Sequence, residues 1–312
     1  MKGPLFYSKI LLFGEYGIIK DSKGLSIPYN FYNGALKVSE NQSAEALKSN
    51  QSLVKFADYL NQLQQEKPSL VSFNLDLLNA DLARGMFFDS SIPQGYGVGS
   101  SGALVAAIYD KYANDKITVL ENLTREKLLQ LKTIFAEMES FFHGKSSGLD
   151  PLNSYLSIPI LINSKDNIEA TGIPSQSSVG KGAVFLIDSG IVGETAPMVN
   201  IFMENLKDQG FRTMLKNQFV KYTDLCVENF LGGDQKSLFS NTKKLSAVVL
   251  DNFKPMIPEE FHGVWQKGIE TNDYYLKLCG SGGGGYILGF TEDLEKAKKS
   301  LKEYTLEVVY QF

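Results

Sequence analysis

The chain has 312 residues, 43% of them apolar and 21% charged, which suits a soluble globular protein of one large domain or two ordinary ones. Lys+Arg 31 against Asp+Glu 35 leaves a formal net charge of −4, so a broad nucleic-acid surface is excluded, while a few local donors would still suffice for a small anion. The early apolar run "ILLF" is too short for a secretion signal, and no run approaches the roughly 18 residues of a membrane span.

In chain order, "SKILLFGEYGII" (8–19) reads as strand, a turn at Gly14, and strand. Residues 38–52 are polar and rich in Ser and Asn, a loop or the start of a helix. Leu53, Phe56, Leu60 and Leu63 then recur at helical spacing. "LVSFNLDLL" (70–78) alternates apolar and polar residues, as a half-buried strand does. Leu104–Tyr112 suits a mostly buried helix. Leu128, Leu131, Phe135, Met138 and Phe142 form one stripe of a helix over 124–142, with Thr124 as N-cap and Gly144 as stop. "TGIPSQSSVGKG" (171–182) is small and polar and marks a boundary between domains 1–175 and 176–312. Beyond it come the strand "AVFLID", helical patterns between about 196 and 250, and a glycine-rich segment between two strand-like runs at 276–290. A charged helix (292–303) and the strand "LEVVYQF" close the chain. Strands and helices interleave without regular βαβ repeats, which predicts α+β rather than a doubly wound parallel sheet. Two cysteines, Cys226 and Cys279, form no disulfide framework and fit a reducing, cytoplasmic setting; two histidines, His143 and His262, exclude a histidine-rich metal site.

Three stretches carry chemistry. In "IPQGYGVGSSGALV", Gly95, Gly97 and Gly99 can take positive φ and let backbone N–H groups approach a ligand. Ser100 and Ser101 then open a helix, whose unpaired amides and dipole favour an anion, most often phosphate. A glycine turn with a serine cap is the alternative, and the residues alone leave both open. The segment is neither a Walker A loop nor a Rossmann fingerprint. The run Gly282–Gly285 is a hairpin turn or a ligand contact, again open. In "EMESFFHGKSSGLDP", Glu139 flanks the buried stripe beside Met138, where a carboxylate is costly unless it is paired or binds a cation. Asp150 follows in a Gly/Ser loop that can reach into a cleft. A helix-edge carboxylate and a turn residue before Pro151 are the simpler readings of these two.

"IPQGYGVGSSGA" resembles the Pro-x-Gly-x-Gly-Leu-Gly-Ser-Ser-Ala-Ala motif of the GHMP kinases. "YSKILLFGEYGIIKDSKGLSIP" is similar to that superfamily's first motif, with Lys9 and Gly14-Glu15 at matching positions, and "KLCGSGGGGYILGF" is similar to its third. The three fall in order across residues 5 to 290. The spacing from Glu139 through His143-Gly144 and Ser147-Gly148 to Asp150 resembles the mevalonate kinase version of this region.

The resemblance implies a two-domain α+β fold, with an N-terminal ribosomal-protein-S5-like domain that binds ATP phosphates and a C-terminal ferredoxin-like domain that completes the substrate cleft. It implies ATP and Mg²⁺ as cofactors and phosphorylation of the primary hydroxyl of (R)-mevalonate in isoprenoid biosynthesis. Asp150 takes the role of base or orienter and Lys9 that of its partner. Pro93, Gly95, Gly97, Gly99, Ser100, Ser101 and Gly102 hold the nucleotide, and Ser101 with Glu139 holds the metal. Glu15, Tyr16, His143, Gly282 and Gly283 fall at substrate positions, and Thr195 falls where the second domain can face the cleft. These types suit the chemistry: Mg²⁺ prefers oxygen ligands and keeps waters, and phosphoryl transfer depends on positioning and charge neutralisation.

Gly102 stands where the family has Ala, Tyr16 where mevalonate kinases commonly have His, and Ser8 where Gly is usual. The implied partner is a small-molecule alcohol, with no nucleic acid and no membrane, in a monomer or homodimer. Galactokinase is disfavoured because its sugar-recognition signature is absent, and homoserine kinase because a Lys9/Asp150 pair is unexpected there. Phosphomevalonate kinase, diphosphomevalonate decarboxylase, another sugar kinase and a non-catalytic ligand-binding protein on the same fold remain as alternatives.

Overall fold

The structure is a computed structural model that describes residues 4–40, 43–118, 123–177 and 179–312. Strand β1 (Phe6–Phe13) leads through a tight helical turn at Gly17–Lys20 into the long strand β2 (Gly24–Val38). The strand expected directly after Gly14 is displaced, because Tyr16 and Asp21 take left-handed backbone, with φ of 59° and 60°. Helix α1 (Ala44–Glu66) starts well before the Leu53 stripe, at Ser43, whose side chain accepts from the Ala46 amide.

The strand expected over 70–78 is instead the approach to helix α2 (Leu75–Ala83). The Asn74 side chain accepts from the Leu77 amide, and this cap overrides the apolar alternation. Phe73 keeps a strand-like bridge to Ala113. Strand β3 (Met86–Ser90), helix α3 (Ser100–Tyr112) and helix α4 (Arg125–His143) follow. Thr124 and Gly144 cap α4 as the sequence predicts, and Leu128, Leu131, Phe135 and Met138 form its buried stripe.

Then come α5 (Leu149–Leu156), β4 (Ile160–Ser164), β5 (Asn167–Ala170), β6 (Ala183–Asp188), α6 (Thr195–Asn205) and α7 (Gln209–Met214). A wide helical turn over Leu215–Val220 joins α7 to α8 (Lys221–Leu231). The chain ends with α9 (Gln235–Asn252), α10 (Glu259–Thr271), β7 (Tyr275–Leu278), β8 (Tyr286–Thr291), α11 (Leu294–Ser300) and β9 (Leu306–Gln311).

One sheet runs β1-β2-β4-β5 with β3 also on β2; the other runs β7-β8-β6-β9. The β2–β3, β2–β4 and β4–β5 pairs are antiparallel, as are all pairs of the second sheet. The architecture is α+β, as expected.

Two compact units divide the chain. The first comprises Met1–Lys9, Pro28–Pro93 and Gly99–Ile158. Its core gathers Phe56, Leu60, Val105, Tyr109, Leu131, Phe135 and Leu152, all essentially inaccessible. The second comprises Ile10–Ile27, Gln94–Val98 and Pro159–Phe312, with Phe13, Phe185, Phe230, Trp265 and Leu288 at its centre. Both cysteines are buried and free. No helix among the described residues is long and apolar enough to cross a membrane.

Candidate active site

In the first unit the site begins with backbone. Gly99 ends the glycine loop in left-handed conformation, φ 82°, and no side chain caps α3 behind it. A Cβ on Gly99 would stand 3.1 Å from Cγ and 3.2 Å from Cε of Lys9, so the lysine stem runs directly across this turn. Gly102 sits even closer to its neighbour. A Cβ there would fall 2.7 Å from the Asp150 carbonyl carbon and 2.8 Å from the Pro151 nitrogen. The departure from alanine at this position therefore has a packing reason: α3 and the first turn of α5 approach at backbone distance, which sets Asp150 beside the start of α3. At the other end of the 144–148 loop, a Cβ on Gly148 would lie 2.1 Å from the Lys132 carbonyl oxygen, so the loop rests on the backbone of α4.

On this frame Lys9 Nζ lies 2.9 Å from Asp150 Oδ1. The lysine side chain is buried at 4% exposure and the aspartate open at 38%, so the carboxylate is the member of the pair that solvent or a ligand can reach. Ser101 Oγ donates to Glu139 Oε1 at 2.9 Å and lies 3.0 Å from His143 Nε2. Ser146 Oγ donates to Glu139 Oε2 and accepts from the Gly148 amide at 3.0 Å. Glu139 is buried, and its carboxyl is pushed up to about 7 by that burial and then by the charge of Asp150; the Ser146 and Ser101 hydroxyls and Lys9 oppose the rise. The structure thus gathers Lys9, Asp150, Ser101, Glu139 and His143. His143 closes α4 but turns its imidazole to Ser101 rather than capping its own helix. Ser146 is a site residue that the sequence reading missed; its one signal was its place in the Ser-Ser-Gly run, where Ser147 was matched instead.

The second unit holds its own cluster. Glu15 Oε1 is 2.5 Å from Lys277 Nζ, and both residues are buried. The Tyr16 hydroxyl donates to the Ser281 carbonyl at 2.7 Å, and its ring packs 4.6 Å from that of Phe202. Burial and then the Glu15 charge push the Tyr16 phenol far up. The Glu15 carboxylate and the Tyr16 hydroxyl, placed at substrate positions by sequence, are therefore engaged by the protein's own interior. Lys277 was missed, although a lysine inside an apolar strand-like run was its signal.

Glycines knit the loops of this unit together. The Gly193 amide donates to the Gly95 carbonyl at 3.0 Å, and a Cβ on Gly97 would stand 2.4 Å from the Cys279 carbonyl oxygen. The Gly283 amide donates to the Met256 carbonyl at 2.7 Å, and a Cβ on Gly282 would lie 2.5 Å from that same oxygen. Ser281 Oγ reaches Thr195 Oγ1 at 3.4 Å.

Residues 54–157, which span α3, α4, Glu139 and Asp150, match the family model for the GHMP kinases N terminal domain. Among solved structures, mevalonate kinase from L. major in complex with R-mevalonate aligns at TM-score 0.64 and 18% identity, covering 100% of this chain and 99% of that one. Methanococcus jannaschii mevalonate kinase aligns at TM-score 0.60 and 16% identity, over 99% and 98% of the two chains. Streptococcus pneumoniae phosphomevalonate kinase, solved with phosphomevalonate and AMPPNP, gives TM-score 0.62 and 12% identity over 98% of each.

The chain has the GHMP kinase fold.

No curated protein matches it in sequence. GHMP kinases use ATP, and the match covers the stretch that carries Gly99, Ser101, Glu139 and Asp150.

The donor set at Ser101 and Glu139 fits a divalent cation. It offers only oxygens to it, and the buried carboxylate stands in want of positive charge. No group of three or more His, Cys, Asp or Glu among the described residues could hold a metal by itself. A cation here would depend on phosphate oxygens and water for its remaining ligands, as Mg²⁺ does in nucleotide sites.

Proposed function

We propose that the chain is an ATP-dependent kinase of a small alcohol, and that its acceptor is the primary hydroxyl of (R)-mevalonate, giving 5-phosphomevalonate for isoprenoid biosynthesis. The observation that carries this reading is the Lys9–Asp150 pair at 2.9 Å, set beside the uncapped start of α3 and the Ser101–Glu139 couple. The likeness over the full length of a kinase solved with R-mevalonate supports the choice of acceptor.

Asp150 accepts the alcohol proton, or orients it, with the exposed side of its carboxylate. Lys9 holds that carboxylate in place from its buried side and stabilises negative charge as it builds on the alcohol oxygen. That oxygen bonds to the γ-phosphorus, the bond from phosphorus to the ADP oxygen breaks, and the proton leaves through Asp150. The loop Pro93–Gly102 offers backbone amides to the phosphates, ending at Ser100 and Ser101 in the first turn of α3. Ser101 and Glu139 would hold Mg²⁺, which would supply neutralisation of phosphate charge.

The test is a coupled ADP assay with ATP, Mg²⁺ and a panel of alcohols containing mevalonate, phosphomevalonate and galactose. Mevalonate should give the fastest turnover, and Asp150→Asn should lower kcat by about 10²-fold or more. Faster turnover of another alcohol would reassign the substrate. An Asp150→Asn variant as fast as wild type would sink the mechanism.

A further inference from the structure

We infer that Lys277 is a positioning residue for nucleotide binding. Its buried ion pair with Glu15, joined by the Tyr16–Ser281 hydrogen bond, fastens the glycine loop 280–285 on which residues 94–98 of the phosphate loop are seated. The inference rests on reading that loop as the ATP-phosphate cradle.

All four residues of β7 are buried, so a lysine there is desolvated and needs a partner with good geometry. Lys277 Nζ donates to Glu15 Oε1 at 2.5 Å and to the Leu278 carbonyl at 2.8 Å, and lies 6.0 Å from the centre of the Phe13 ring. One ammonium thus ties the turn after β1 to the end of β7. Tyr16, the next residue after Glu15, makes the second tie through its hydroxyl to the Ser281 carbonyl. Between those anchors stand Cys279 and Gly280.

Here the two glycine loops meet without side chains between them. A Cβ on Gly97 would lie 2.4 Å from the Cys279 carbonyl oxygen, and one on Gly280 would lie 3.0 Å from Gly97 Cα. Further along, a Cβ on Gly285 would stand 2.5 Å from Tyr96 Cα, and the Tyr286 amide donates to the Tyr96 carbonyl at 3.4 Å. Interiors packed this closely transmit displacement rather than absorb it. A shift of 280–285 therefore moves Gly97, while Lys277 itself acts only through the loop. The pair sets where the amides of residues 94–98 stand.

The test compares wild type with Glu15→Gln/Lys277→Met, which keeps side-chain volume and removes both charges, and with Tyr16→Phe, which removes one hydroxyl. AMPPNP affinity is read by calorimetry, steady-state constants by the ADP assay, and amide exchange over 94–98 and 280–285 by mass spectrometry. In the double variant the AMPPNP Kd and the KM for ATP should rise by about tenfold. Exchange over both loops should quicken in the same variant. Tyr16→Phe should move the same quantities in the same direction by about threefold. Variants that bind AMPPNP as wild type does overturn the inference alone. Should the double variant not fold, unchanged AMPPNP affinity in Tyr16→Phe overturns it equally. Wild-type protein that binds no AMPPNP overturns the kinase reading and this inference together.

Discussion

Glu139 stores free energy that the fold gives up at neutral pH. Its carboxyl sits near 7 in the folded chain against an ordinary 4.5, because burial disfavours the charged form and Asp150 adds like charge. Below the ordinary value both folded and unfolded chains hold the proton, and the residue costs nothing. Between the two values the unfolded chain releases its proton first, so stability falls as pH rises. Above the folded value the cost is complete, up to about 3 kcal/mol. Glu139→Gln should therefore stabilise the nucleotide-free protein more at pH 8 than at pH 5, read from urea unfolding at each pH. A difference that does not change with pH would refute the account. The same imbalance makes the residue receptive to a cation: a carboxylate strained by burial gains most when positive charge arrives beside it.

At the scale of elements, two glycines of similar appearance should behave differently. Gly102→Ala gains helix propensity of up to about 1 kcal/mol. It also drives a methyl into the Asp150–Pro151 backbone at 2.7 Å, and no flexible side chain is there to yield. The clash wins: a loss of about 1–3 kcal/mol is expected, with kcat lowered by about tenfold or more as Asp150 is displaced. Gly144→Ala meets nothing within 4 Å and suffers only its positive φ of 73°, so a loss of about 1–2 kcal/mol should leave kcat nearly unchanged. Thermal unfolding and turnover on the two variants check both statements. What could be read from sequence divides along similar lines. Helix α4 was legible because its stripe and caps are local signals, with Thr124 and Gly144 where capping requires them, and α3 because its apolar run is nearly continuous. Helix α2 was not, since Asn74 decided against an alternation that pointed to a strand. Lys9, Glu139 and Asp150 were legible through motif spacing. Ser146 and Lys277 were not, because what each does depends on a neighbour brought in by tertiary packing, Glu139 for one and Glu15 for the other.

The whole molecule carries its reporters in one unit. Cys226, Cys279 and Trp265 all belong to the second, and all are nearly or fully inaccessible. Burial pushes the Cys226 thiol up to about 12, which removes the thiolate as well as the access. Native protein at neutral pH should therefore release no chromophore from a disulfide thiol reagent, and denatured protein should release the equivalent of its two thiols. A fast-reacting thiol in the native state would show that α8 or the loop after β7 opens. The division into units also has a consequence for synthesis. By the time residue 158 has been added, every residue of the first unit exists, but Ile10–Ile27 belongs to the second. Leu12 and Phe13 are fully buried in the finished protein, and Phe13 stacks at 5.2 Å on Phe290 of β8. A growing chain must carry that apolar stretch unsheltered until β8 has left the ribosome. Leu12 and Phe13 are thus made long before the strand that covers them and settle only when it arrives.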